Sequence, residues 1–115
     1  MSELINRWFG RAGRLPGVVA YGLRYPDATV FSNTWEARLS QTVLNELWSR
    51  LAPMAGVAAP GETHEMLRWT FNGGVVIGTA RTDGPAFFVL ASKKVDELDM
   101  TGVQRLLSEF RALRG

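Results

Sequence analysis

Residues 64–91 read HEMLRWTFNGGVVIGTARTDGPAFFVLA, a run of three short strands separated by two turns. From 64 to 71 the pattern alternates, with Leu67, Trp69 and Phe71 on one side and Met66, Arg68 and Thr70 on the other. That period of two is the signature of a strand. Asn72-Gly73-Gly74 follows; these residue types tolerate the positive φ that tight hairpin turns demand. Residues 75–79 then run apolar on both faces, Thr82-Asp83-Gly84-Pro85 makes a second turn, and residues 86–91 complete a meander.

The pattern changes to a helical one on either side of the meander. Downstream, Val103, Leu106, Leu107, Phe110 and Leu113 recur at helical spacing, with Asp99 or Thr101 as the cap. Upstream, Leu39, Val43, Leu44, Leu47, Trp48 and Leu51 mark the apolar face of a central helix. Asn33 with Glu36, or Ser32, offers its capping box, and Pro53 its stop. Before it, residues 18–23 form a strand apolar on both faces. Tyr25-Pro26-Asp27-Ala28 turns the chain into a short returning strand at 29–32. At the amino end Leu4, Ile5, Trp8, Phe9, Ala12 and Leu15 describe a first helix, started by Ser2, with Arg7, Arg11 and Arg14 on its solvated side.

The element order is therefore helix-ββ-helix-βββ-helix, an α+β fold with helices on both faces of one five-stranded antiparallel sheet. Burial also orders the strands. The first, fourth and fifth are apolar on both faces and belong in the middle. The second is short and the third carries Arg68 mid-strand, so both belong at edges. Only the order 2-1-5-4-3 also joins sequential strands by hairpins at both ends. Two surfaces are then left over. The third strand is long and apolar for an edge, and the apolar arc of the central helix, Ala37 included, sweeps about half its circumference, where one sheet needs roughly 100°.

Composition bounds the function. At 115 residues and 46% hydrophobic, the chain is one domain, residues 1–115, able to bury a core. With no cysteine there is no disulfide framework, thiolate metal site or cysteine nucleophile. The net charge is +2 and the basic residues are dispersed, so no nucleic-acid footprint is present. Neither a signal peptide nor a run of ~18 apolar residues occurs, which predicts a cytoplasmic chain with no membrane insertion. Residues 52–61, rich in proline and glycine, form the longest loop.

Catalytic signals are missing. His64 is the sole histidine and has no ligand-spaced carboxylates or cysteines, so no metal site is read. Asn72-Gly73-Gly74 joins two strands, whereas a phosphate cradle leads into a helix. Asp96, Glu97 and Asp99 precede a helix, where carboxylates favour the macrodipole. No cofactor and no enzymatic reaction are expected. Most of the four tryptophans, Trp8, Trp35, Trp48 and Trp69, are expected in the core, and Trp48 and Trp69 are the two placed near a partner.

The segment order, with Leu15-Pro16-Gly17-Val18-Val19-Ala20 leading into the first strand, resembles the roadblock/dynein light chain family across roughly residues 4–113. The resemblance implies a homodimer or heterodimer whose sheets join edge to edge through the third strand, with central helices packed side by side. It implies a noncatalytic scaffold or regulator of Ras-like small GTPases, some bacterial members being their activating partners. On this reading Met66, Leu67, Arg68, Trp69, Thr70, Leu44 and Trp48 form the homodimer interface, and Arg38, Gln41 and Asn45 meet the partner. A different class remains open from the residues alone: a PAS- or profilin-like module binding a small molecule between sheet and helix, gated by the 52–61 loop.

Overall fold

A computed structural model describes residues 3–36, 38–55, 67–71, 74–81, 83–92 and 98–113. The elements run α1 (Glu3–Arg11), β1 (Val18–Arg24), β2 (Val30–Thr34), α2 (Gln41–Ala55), β3 (Leu67–Phe71), β4 (Gly74–Ala80), β5 (Ala86–Ser92) and α3 (Met100–Ala112). The five strands form one sheet in the order β2-β1-β5-β4-β3, each neighbouring pair antiparallel. The α+β class and the strand order agree with the expectation. The segments 64–66, 56–61, 72–73 and 93–97, with His64, Met66, Asp96 and Glu97, lie outside the described residues.

Burial explains the order. β4 and β5 are buried at six consecutive positions each, and β1 at five of seven. Such strands need cover on both faces, which only the middle of a layered sheet supplies. Adjacent residues of β5 serve opposite layers. Phe87 points toward α1 and α3, where Trp8, Phe9, Tyr21 and Phe110 surround it. Phe88 points toward α2.

The first helix is firmly docked. Ile5 and Phe9 are buried, the Phe9 carbonyl accepts from Asn33 Nδ2 at 3.3 Å, and Tyr21 Oη donates to the Gly13 carbonyl at 2.8 Å. Burial pushes the Tyr21 phenol up to about 12. Trp8 Nε1 donates to Glu109 at 3.2 Å and Leu15 lies against Gly102, so α1 and α3 run antiparallel beneath the sheet. Asp99 caps α3 as expected, accepting from the Gly102 N–H at 3.0 Å.

Two boundaries differ from the sequence reading. The central helix begins at Gln41, capped by Ser40, whose Oγ accepts from the Val43 N–H at 3.2 Å. Ser32, Asn33 and Thr34 do not cap it. They lie in β2, where Asn33 donates to α1, Ser32 donates to Asn45 of α2, and Thr34 Oγ1 makes a local bond, accepting from the Glu36 N–H at 3.1 Å. Pro53 does not end the helix either. It sits in the last turn, where a lost N–H removes one bond, and the helix continues to Ala55.

Candidate interaction surface

How α2 docks is decided by a residue without a side chain. Across the sheet face beneath α2, Ser32, Gly22, Phe88, Gly78 and Leu67 stand in register as one row spanning all five strands. Phe88 therefore has a glycine on each side. A Cβ at Gly22 would fall 2.2 Å from Trp48 Cε2, so only glycine lets the indole descend onto the sheet. There it stacks on Phe88 at 5.4 Å between centroids, the planes 9° apart. Trp69 from β3 leans on the same ring at 6.2 Å and lies over Gly78.

A polar clamp fixes the rotation of the helix. Trp48 Nε1 donates to Ser32 Oγ at 2.9 Å, and that hydroxyl donates to Asn45 Oδ1 at 2.5 Å. The single buried hydroxyl of β2 thus satisfies the indole N–H, which would otherwise be costly to bury. Asn45 consequently faces β2. Successive residues rotate by about 100°, so Val43 lies roughly 160° away from Asn45 around the axis. Val43 and its neighbour Leu47 are carried to the flank that faces away from β2, toward the β3 side.

That flank is the unfilled part of the helix. Leu44 and Trp48 are 1% and 0% exposed, but Val43 is 58% exposed. With Leu47, Glu46 and Arg50 it lines a shallow groove of about 210 Å³. Glu46 and Arg50 are paired at 2.6 Å along the helix. Beyond lies the edge strand β3, which among the described residues pairs with β4 alone, with Arg68 and Thr70 exposed and Trp69 half-buried.

Met66 lies outside the described residues, and the other expected site residues have a place. Leu67, Arg68, Trp69 and Thr70 form the edge strand as read. Leu44 and Trp48 are buried within the single chain, the Trp48 indole seated over Gly22. Val43, Glu46 and Arg50 take exposed positions on the helix, with Leu47 half-buried beside them. Arg38 and Gln41 are exposed, Arg38 in the turn ahead of α2 and Gln41 as its first residue. Asn45 is half-buried and held by Ser32, which the sequence reading took for a cap. Trp35 is 38% exposed and meets Tyr21 in a T-shaped contact.

Other polar groups serve the framework. Arg81 Nε pairs with Asp83 at 2.9 Å, its guanidinium donates to the Phe110 carbonyl, and it lies over the Phe110 ring. It thereby satisfies the carboxyl end of α3. The Arg81 hydrogen bonds hold Asp83 below the usual carboxylate range, as the Thr29 N–H does for Asp27. Among the described residues no cluster of three or more histidine, cysteine or carboxylate groups could hold a metal ion, and no helix is long and apolar enough to cross a membrane.

In sequence, no protein-family model and no curated protein matches the chain. In structure it is similar to the roadblock/LC7 domain from Streptomyces avermitilis, with TM-score 0.54 and 13% identity over 96% of this chain and 91% of that one. It is also similar to Myxococcus xanthus MglB, with TM-score 0.67 and 15% identity over 96% and 90%. The fold is roadblock-like.

Proposed function

We propose that this roadblock-fold chain is a noncatalytic dimeric scaffold that regulates a Ras-like small GTPase in the cytoplasm. Two copies join through the β3 edge and the free flank of α2. The observation that carries this reading is the convergence of two unsatisfied surfaces on one side of the molecule. An open strand edge is a pairing site, and Val43 at 58% exposure beside Leu47 is apolar area without cover. One two-fold axis relieves both together. Met66, Leu67, Arg68, Trp69 and Thr70 supply the strand side of that contact. Leu44 and Trp48 contribute from beneath, by setting the helix rotation. Arg38, ahead of the helix, and Gln41, its first residue, are exposed and remain for the GTPase, together with Asn45. The roadblock-like similarity to MglB and to the Streptomyces domain supports a regulatory partner of this class.

The ligand-sensing alternative needs space between sheet and central helix. Trp48, stacked on Phe88 over Gly22, occupies it. Light scattering on the purified chain tests the dimer: the wild type runs at twice its chain mass at micromolar concentration. Val43→Asp, at an exposed site outside the core, runs as a monomer with an unchanged melting temperature. A monomeric wild type overturns the proposal. For the GTPase, small GTPases of the same genome loaded with a GTP analogue are passed over the immobilised dimer, and absence of any nucleotide-dependent binding removes that half.

A further inference from the structure

We infer that Asn45 presents a fixed pair of hydrogen-bond donors to a main-chain carbonyl of the GTPase, and that Ser32 is the positioning residue that aims them. The inference rests on the regulatory reading above and deepens it, since that reading does not say what Asn45 recognises. Proton counts fix the direction of each bond. An indole nitrogen can only donate, so Trp48 Nε1 occupies a lone pair of Ser32 Oγ at 2.9 Å. The hydroxyl has one proton of its own, and Asn45 Oδ1 accepts it at 2.5 Å. That distance suits O–H···O and is shorter than the ~2.7–3.2 Å of an N–H donor. Turning the amide over would put nitrogen in that place. It would leave the hydroxyl of Ser32, a residue 8% exposed, without an acceptor among the described residues.

With the oxygen committed, Asn45 Nδ2 turns outward from a half-buried residue and has no partner among the described residues. Its aim is set from the core, because the indole that anchors Ser32 is itself stacked on Phe88 over Gly22. A side chain already held in one rotamer loses little entropy on binding. Gln41 lies one turn before Asn45 and Ser49 one turn after it, so the three share one stripe of α2. Gln41 is exposed, Ser49 is half-buried, and none of the three carries a charge. An uncharged stripe with two fixed donors matches a neutral acceptor, which on a protein surface is a main-chain carbonyl.

Two measurements test this. In the free chain, nuclear magnetic resonance should find the Asn45 side-chain amide protons exchanging with solvent and the Trp48 indole proton protected. Protected amide protons overturn the orientation. The second uses Asn45→Asp, which keeps the oxygen that Ser32 needs and puts an acceptor where the donors were. Its melting temperature and its Trp48 indole resonance stay as in the wild type. Its affinity for the small GTPases of the same genome, loaded with a GTP analogue, falls by about tenfold or more. The loss persists at high salt, because the lost contact is to a neutral group; a loss that salt abolishes overturns the carbonyl in favour of a carboxylate. A wild type that binds a loaded GTPase, with Asn45→Asp binding equally well, overturns the inference and leaves the regulatory reading standing. A wild type that binds none of them overturns that reading, and this one with it.

Discussion

Gly22→Ala isolates the docking of α2 in one methyl group. Propensity favours the change, since glycine inside a strand costs roughly 0.5–1 kcal/mol against alanine. The surroundings oppose it: the new Cβ would stand 2.2 Å from Trp48 Cε2 and 2.4 Å from both Cδ2 and Nε1. Comfortable carbon contacts lie near ~3.5–4.0 Å, so the indole must retreat by more than ~1 Å. It cannot do so and keep its 2.9 Å bond to Ser32 or its stack on Phe88. Leaving the indole N–H unsatisfied costs about 1–3 kcal/mol, and the lost stack about 0.5–1.5 kcal/mol. The expected penalty is about 3 kcal/mol, which for a chain of this size lowers the melting temperature by roughly 10–15 °C. Urea denaturation followed by far-ultraviolet circular dichroism measures it, alone and with Trp48→Leu. In the Trp48→Leu background the same methyl should cost almost nothing, giving a coupling of about 2–3 kcal/mol. A penalty under about 1 kcal/mol, or additive effects, would refute the role given to Gly22.

Three further changes probe other groups. Thr79 is 2% exposed and its hydroxyl has no hydrogen-bond partner among the described residues, so Thr79→Val should stabilise by about 1–2 kcal/mol; a loss in the urea midpoint would show the hydroxyl to be bonded. Ala28 holds φ at 73°, where a Cβ is strained, so Ala28→Gly should raise the urea midpoint by about 0.5–1 kcal/mol with an unaltered slope. Tyr21 keeps its proton in the folded chain up to about 12. The unfolded phenol loses its proton near ~10, so stability is full below that pH and falls as pH rises toward 12. Tyr21→Phe should lack that alkaline decline; a variant with the same decline would place its cause elsewhere.

Much of the architecture was readable because alternation and helical spacing report which faces are buried. The run 75–79 and the run 86–91 are apolar on both faces and could only be central, and Arg68 marks an edge. Rotation of the central helix was not readable in this way. The stripe Leu39 to Leu51 shows that the helix is widely apolar, but which part meets the sheet depends on Gly22, a position two residues from the end of another strand. Trp48 therefore looked like a margin and proved to be the centre. Ser32 and Asn33 misled for a related reason: short polar side chains before a helix resemble caps, yet here the distant partners Trp48 and Phe9 claim them. Sequence spacing is blind to such partners.

The central position of β1, with Gly22 beside Phe88 in β5, also governs how the chain is made. Ribosomes deliver β1, β2 and α2 well before β5. Until residues 86–92 emerge, β1 has its hairpin partner on one side and nothing on the other, with apolar side chains on both faces. No early half of this sheet can close by itself, because its middle strand comes from the opposite end of the chain. Such long-range pairing makes folding slow and leaves the nascent chain exposed to association with its neighbours. Pausing during translation of residues 67–92, or truncation ahead of Ala86, should therefore yield aggregation rather than a folded fragment.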